Sequence, residues 1–340
     1  MQFRHRFRHP FIIAASFVSR TDYSGPGHPD AGAAAVRTLT IPDDFAGRRL
    51  DQALAALMPE HSRSRLQQWI AQGVVQVDGA AATARQKLRG GEAVAVAAVE
   101  QPSLTDAPEA IPLDIRYEDD DLLVLDKPPG LVVHPGSGNR AGTLLNALLH
   151  HAPALVHLPR AGIVHRLDKD TSGLMVVAKS PVAQAALVRD LAAHTVTREY
   201  LALVHGDVER AVTIDAPIGR HPTQRTTMAV VAQGKAARTH VSVVERFGAA
   251  TLVRCRLETG RTHQIRVHLA AIGHPLVGDP AYGARRVRGG VLLFGRQALH
   301  ATALRFTHPV SGRALKFAAA PPADLQALID TVRAHAREHA

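Results

Sequence analysis

A single cysteine, Cys255, is all that the 340-residue chain offers for thiol chemistry, so no internal disulfide can form and a reducing compartment is expected. Cys255 lies in the alternation Leu252-Val253-Arg254-Cys255-Arg256-Leu257, which reads as a strand with a small apolar residue at that point and not as the setting of a nucleophile. Long apolar runs are missing as well. Nothing approaches the roughly 18 apolar residues of a membrane span, and the densest early stretch, Phe11 to Val18, is too brief. No membrane role is expected. The chain also has no dinucleotide fingerprint, no phosphate-binding loop and no repeat of solenoid length.

Acidic residues are the other shortage: 30 Asp plus Glu face 40 Lys plus Arg, giving a net charge of +10 and a pI near 10.4. Such a balance suits a polyanion, nucleic acid first, although basic surfaces also serve solubility. The excess is not confined to one tail. Residues 1–38 hold five arginines against two aspartates and carry +3, which leaves +7 for the remainder. Their arginines followed by Phe11-Ile12-Ile13-Ala14-Ala15 imitate a signal peptide without a clear cleavage site. The segment 1–38 is therefore expected to be a disordered or extraneous extension, its Gly-, Pro- and Ala-rich stretch from Ser24 to Ala35 burying nothing.

Length and a hydrophobic content of 46% allow about two domains with at least one sizeable core. In the first, Leu50, Leu54, Leu57 and Met58 fall at helical spacing, and Leu66, Trp69 and Ile70 repeat the pattern after Ser62 or Ser64, either of which can cap a second helix. The run Val74-Val75-Gln76-Val77, the turn pair Asp78-Gly79, the pair Gly90-Gly91 and the alternating Val94 and Val96 predict a small hairpin-like unit. Residues 100–110 turn polar and Pro-bearing without periodicity and are expected to be a linker. From 111 to 338, short runs such as Leu122-Leu123-Val124-Leu125, Leu174-Met175-Val176-Val177 and Tyr200-Leu201-Ala202-Leu203-Val204 predict a mixed, largely antiparallel sheet. Helices are expected from Pro181 to about Ala193 and at the end of the chain, where Leu325, Leu328, Ile329 and Val332 share a face. The fold class is α+β.

Arg63 and Arg65 open the second helix, and Arg85, Lys87 and Arg89 precede the last strand of the small domain. Two basic clusters on one small fold offer a surface for RNA phosphates, of the kind that positions a strand without reading its bases; a solvated charged face is the bland alternative. The strings Arg49-Leu50-Asp51-Gln52-Ala53-Leu54, Ser62-Arg63-Ser64-Arg65, Gly73-Val74-Val75-Gln76-Val77-Asp78-Gly79 and Gly90-Gly91-Glu92-Ala93-Val94 resemble an S4 RNA-binding domain over residues 40–99. The resemblance implies that Arg63, Arg65 and Lys87 contact RNA.

In the larger domain the densest polar cluster is His165-Arg166-Leu167-Asp168-Lys169-Asp170-Thr171-Ser172-Gly173, between the apolar runs Ala161-Gly162-Ile163-Val164 and Leu174-Met175-Val176-Val177. It reads as a loop joining two strands. Spacing alone favours an ordinary turn. Asp168, Asp170 and Ser172 imitate part of a calcium loop, but Lys179 stands where that loop needs a bidentate Glu. His263 and His268 have the wrong spacing for two ligands on one helix face and lack the Glu of a zincin. No metal is expected.

That same nine-residue string, continued by Leu174, resembles the signature of the RluA-type pseudouridine synthases. Three further strings agree in order: Lys127-Pro128-Pro129-Gly130-Leu131-Val132-Val133-His134-Pro135-Gly136, Arg198-Glu199-Tyr200-Leu201, and Gly260-Arg261-Thr262-His263-Gln264-Ile265-Arg266-Val267-His268. The resemblance covers about Thr40 to Val332. It implies a small S4-type domain followed by a synthase domain with a central active-site cleft. It further implies isomerisation of uridine to pseudouridine, with Asp168 as the catalytic carboxylate. With the S4 module in front, it implies 23S ribosomal RNA, free or in an assembling large subunit, as partner and the helix 69 stem-loop as target. A monomeric cytoplasmic enzyme is expected.

The reaction breaks a C–N bond, turns the uracil and makes a C–C bond at its C5, with nothing entering from outside, so no cofactor is expected. An Asp that acts as nucleophile or base needs a nearby cation to hold it charged. If Thr262 to Ile272 is a helix, Ile265, Leu269 and Ile272 form its buried stripe and Arg266 projects beside it toward a cleft; Arg261 is the rival. Tyr200 is expected to stack on the uracil, or else to be a core tyrosine. Arg166 is expected to enter the RNA where the uridine is extruded, with His165, Lys127 and His134 shaping the cleft and its backbone contacts. Two other readings stand beside this one: an inactive RNA-binding assembly factor of the same fold, and a synthase acting on other rRNA or tRNA uridines.

Overall fold

The computed structural model describes residues 36–59, 61, 63–97, 107–136, 138–224, 226–283 and 294–338. Two compact units divide the chain, residues 1–99 and 100–340. The expected disorder of residues 1–38, apart from the last three, most of the expected linker, and the capping role of Ser62 lie outside the described residues.

In the first unit, strand β1 (Arg37–Thr40) is followed by helices α1 (Leu50–Leu57) and α2 (Arg63–Ala71), then by β2 (Val75–Val77), β3 (Ala80–Ala81) and β4 (Ala93–Val96). The strands form an antiparallel sheet in the order β1-β4-β2-β3. Asp78 and Gly79 close the tight hairpin with positive φ of 49° and 75°, the geometry that makes Asp-Gly a hairpin signal. Leu50 and Leu54 of α1 and Leu66, Trp69 and Ile70 of α2 pack on Val75, Val77, Val94 and Val96, as their spacing predicts. Ser64 falls within the range of α2.

The second unit contains β5 (Asp114–Glu118), β6 (Leu122–Lys127), α3 (Leu144–His151), β7 (Ser172–Ala178), α4 (Pro181–Ala192), β8 (Thr197–His205), β9 (Val212–Asp215), β10 (Ile218–Arg220) and β11 (Met228–Val230). Then come β12 (Arg238–Arg246), β13 (Ala250–Leu257), α5 (Gln264–Ala271), β14 (Leu299–Thr307), β15 (Ala314–Ala318) and α6 (Ala323–Glu338). Its nine-stranded sheet runs β5-β6-β7-β14-β8-β13-β12-β9, with β15 added beside β14. Among the described pairs only β7 with β14 is parallel; the mixed, largely antiparallel sheet is as the sequence predicts. Gly173 makes that parallel contact possible. Its φ is +117°, and a Cβ there would lie 2.4 Å from the backbone N and O of Ala301, so a side chain would push the two strands apart.

Both faces of the central strands are covered, which explains why β6 and β7 read as continuous apolar runs. Leu123, Leu125, Met175 and Val177 point toward α3 and α5, and Leu122, Val124, Leu174 and Val176 toward α4 and β15. Helix α4 starts as its sequence dictates, with Ser180 accepting from Ala183 N–H and Pro181 in the first turn. Leu325, Ile329 and Val332 of α6 cover Leu203, Ala250 and Leu252 in a further core.

Two expectations need correction. Residues 161–164 are not a strand: the chain arrives through 3-10 turns at Pro153–His157 and Pro159–Gly162, and only Ile163 bridges to Val177. Helix α3 was not foreseen. Its first six residues, Leu144 to Leu149, are all buried, Asn146 included, and only His150 and His151 at its end are exposed, so little polar contrast marks it.

Candidate active site

The loop from His165 to Thr171 leads into the buried start of β7 and is pinned from several sides. Lys127 at the end of β6 donates from Nζ to the carbonyl of Lys169 at 2.9 Å, and also to those of Pro128 and Leu131. Arg296 donates to the carbonyl of Asp170 at 3.0 Å, and Gln297 to the hydroxyl of Thr171 at 3.1 Å. The Thr171 N–H bonds to the carbonyl of Asp168, so the turn holding Asp168 is closed on itself and fixed by partners on two other segments. Lys127 thus corrects its expected role. It is fully buried, its donors point at three backbone carbonyls, and burial pushes its ammonium down to about 7 against the charges of Asp170 and Asp168. It staples the loop and does not face RNA.

Helix α5 supplies the cation. It is shorter than expected, and Ile272 lies beyond its last residue and is 37% exposed, so the buried stripe keeps only Ile265 and Leu269 of the three predicted residues. Every residue from Gln264 to Leu269 is buried. Within this buried helix Arg266 donates from Nη1 to Oδ2 of Asp168 at 3.0 Å, and from Nε and Nη2 to both oxygens of Asp279 at 2.7 and 2.9 Å. Burial opposes its charge, but hydrogen bonds and charge from Asp279, and then Asp168, outweigh that and hold the guanidinium firmly protonated. Arg261, the rival, points elsewhere: its Nε donates to the carbonyl of Ala236.

Asp279 and Tyr282 were not foreseen. Asp279, fully buried on its side chain, follows Gly278 and accepts the N–H groups of Ala281 and Tyr282 as well as the Arg266 fork. Tyr282 lies under the Arg266 guanidinium, 5.0 Å from ring centre to Cζ, and its hydroxyl shares a 2.8 Å hydrogen bond with Nδ1 of His263. The other ring nitrogen of His263 is 3.8 Å from Asp168. The only sequence cue was the turn string Gly278-Asp279-Pro280, which carries no chemistry by itself.

Asp168, Arg166, His165, Tyr200 and Arg266 line one cavity of about 540 Å³. Tyr200 is 5% exposed on the inward-facing side of β8, and burial pushes its phenol up, with the charge of Asp168 adding to the effect. Arg166 is exposed at the wall of the cavity. His165 accepts the Val176 N–H at Nε2, 3.0 Å, so its proton sits on Nδ1; burial pushes this ring down to about 3. The same cause holds His134, also on the cavity wall, at about 4.

The basic residues expected at RNA in the first unit have different surroundings. Arg63 binds the fully buried carboxylate of Asp51 through Nε at 2.9 Å and Nη2 at 2.6 Å, beside Arg49 and Gln67. Arg65 stacks its guanidinium 5.4 Å from the Trp69 ring centre. Lys87 is exposed with Arg85 and Arg89, while Leu88 between them is buried.

Among the described residues no cluster of three or more His, Cys, Asp or Glu could hold a metal ion, and no helix is long and apolar enough to cross a membrane. His263 and His268 have separate partners, Tyr282 for one and Thr239 with the carbonyl of Ala216 for the other. The site instead offers a carboxylate oxygen paired with a buried guanidinium, in a cavity that a tyrosine also lines and that is large enough to admit a nucleobase. That set can add a nucleophile to an electrophilic carbon or take a proton, with charge balanced throughout.

Comparison with known proteins points the same way. The model of the RNA pseudouridylate synthase family matches residues 121–271, and that of the S4 domain residues 48–94. Ribosomal large subunit pseudouridine synthase D of Nitrosomonas europaea is 58% identical over 300 residues, 87% of each chain. The protein of that name in Xanthomonas campestris is 52% identical over 311 residues, covering 88% of this chain and 93% of its own. Among solved structures, human RNA pseudouridylate synthase domain containing 1 aligns with a TM-score of 0.50 at 30% identity, over 69% of this chain and 98% of its own.

Proposed function

This chain belongs to the RNA pseudouridylate synthase family, and from that membership we infer that it isomerises uridines of large-subunit ribosomal RNA, in the helix 69 stem-loop, with Asp168 as the catalytic carboxylate. The observation that carries the reading is the chain of charge Asp168–Arg266–Asp279 at the wall of the cavity that Tyr200 lines. One guanidinium, anchored by a buried carboxylate through Nε and Nη2, turns Nη1 toward Asp168 and so fixes both the position of its oxygen and its charge partner.

In this reading a uridine leaves its stack and enters the cavity, with Arg166 taking its place in the RNA. Extrusion costs roughly a few kcal/mol and least for a base already in a loop, which favours a hairpin-loop target. Tyr200 packs against the uracil ring. The carboxylate of Asp168 then attacks, at C6 of the base or at C1′ of the sugar, the C1′–N1 bond breaks, and the uracil turns to present C5 to C1′. The C5 proton leaves, and Asp168 is released unchanged.

Arg85, Lys87, Arg89 and Arg65 of the first unit hold RNA phosphates, whereas Arg63 is committed to Asp51. The partner is 23S rRNA, free or in an assembling subunit, and the enzyme works as a monomer in the cytoplasm. The names of its relatives and the S4 module support the ribosomal substrate over a tRNA.

The test follows from the bond made at C5. Wild-type protein incubated with 23S rRNA tritiated at uridine C5 releases label to water, and carbodiimide mapping places the product in helix 69. Release with product confined to other sites would move the target; no release from any RNA would overturn the reading.

A further inference from the structure

Three buried side-chain nitrogens among the described residues have no hydrogen-bond partner: Nε2 of His134, Nδ1 of His165 and Nε of Arg198. All three residues line the cavity that contains Asp168. Buried polar atoms are satisfied in the great majority of cases, so three exceptions lining one cavity mark the place where a ligand's polar atoms belong.

Arg198 is the most demanding of them. It is 7% exposed, and its guanidinium makes one long contact, 3.4 Å to the carbonyl of Glu258, with no carboxylate paired to it among the described residues. Arg266, by contrast, is shared between two carboxylates. Strand alternation sets Arg198 on the same face of β8 as Tyr200. Room for it comes from Gly260, where a Cβ would lie 2.7 Å from Nη1 of Arg198. A buried cation without a counter-charge is costly, and the cost is recovered when a negative charge arrives.

We propose that Arg198 is a second catalytic residue: it donates to a carbonyl oxygen of the bound uracil and stabilises the negative charge that the base acquires during the reaction, with the Nδ1–H of His165 as a neutral donor beside it. This rests on the uridine-isomerase reading above. Either route of attack delivers that charge. If an oxygen of Asp168 bonds to C6, the C5=C6 electron pair moves through C4 to O4. If it bonds to C1′, the C1′–N1 pair stays with the base and spreads over O2 and O4. On the C1′ route C5 then closes on C1′ and expels the Asp168 oxygen, and loss of the C5 proton restores the ring. On the C6 route the C1′–N1 bond breaks, C5 closes on C1′, and loss of the C5 proton expels the Asp168 oxygen from C6 as the C5=C6 bond re-forms. Arg198 is needed for the charged interval in each case, and a neutral, equally bulky side chain does not replace it.

The experiment is single-turnover tritium release at saturating RNA. Arg198→Ala is expected to lose about 100-fold or more in rate, with the half-saturating RNA concentration changed by less than about threefold. Millimolar ethylguanidinium restores part of the rate, and Arg198→Lys retains more activity than Arg198→Ala. Packing alone predicts no rescue. An Arg198→Ala rate at the wild-type level, or a folded variant that no guanidinium rescues, overturns the proposal. A readout on the wild-type enzyme removes dependence on variant folding: the Nε–H proton resonance of Arg198 moves downfield on binding target RNA, and an unmoved resonance also overturns it. Wild-type protein that releases no label would strike the isomerase reading itself; wild-type release with an equally active Arg198→Ala strikes only this inference.

Discussion

Arg266 and Asp279 form a two-pronged ion pair, 2.7 and 2.9 Å, in which the carboxylate has no exposed side-chain surface and the guanidinium almost none. The pair orients the third nitrogen of Arg266 toward Asp168.

Asp279→Asn is therefore expected to cost both stability and rate. Breaking one side of a buried pair costs about 3–5 kcal/mol, and a misplaced Arg266 lowers tritium release by roughly 100-fold. Thermal unfolding and single-turnover release on the same preparation check this. Full activity in a stable variant would show that Arg266 needs no anchor.

Arg63 and Lys87 separate two uses of positive charge in the first unit. Arg63→Met removes a partner of the buried Asp51, and at a half-exposed site the expected loss is on the order of 1 kcal/mol. Lys87→Ala leaves stability unchanged, weakens RNA binding across sequences and lowers the salt slope of binding by about 1. Denaturant unfolding and RNA affinity at several salt concentrations distinguish them.

How far these roles were legible in the sequence differs from residue to residue. Asp168 and Arg266 stood in dense polar strings whose order resembled a family, and the structure brings the two together across 98 residues of chain. Lys127 and Arg63 were legible as cations but not as cations already committed to partners, because the Lys169 carbonyl that binds one and the Asp51 carboxylate that binds the other come from distant positions in the chain. Asp279 was invisible for the same reason, since a lone Asp after Gly in a turn usually serves the turn. Helix α3 escaped because its first six residues are all buried and its exposed pair, His150 and His151, comes last, which leaves little polar contrast to detect. The run 161–164 read as a strand because apolar content was there, while the pairing that makes a strand was reduced to one bridge.

Two histidines on the cavity wall make folding sensitive to acid. Burial holds His165 at about 3 and His134 at about 4, against an ordinary 6.5. As pH falls below about 6.5 the unfolded chain takes up protons that the folded rings refuse, so stability declines until the folded values are reached, by at most about 1.4 kcal/mol per pH unit for each ring. Denaturant midpoints between pH 7 and 4 are expected to fall, and to fall less steeply in His134→Phe. An equal slope in that variant would show that His134 titrates normally.

The claim on which the rest depends is that the Asp168 carboxylate performs the chemistry. Its most direct measurement is tritium release from C5-labelled 23S rRNA by Asp168→Asn, with RNA affinity measured alongside. The account predicts no release above background while the variant binds the RNA as tightly as the wild type; release at a rate near the wild-type value would contradict it.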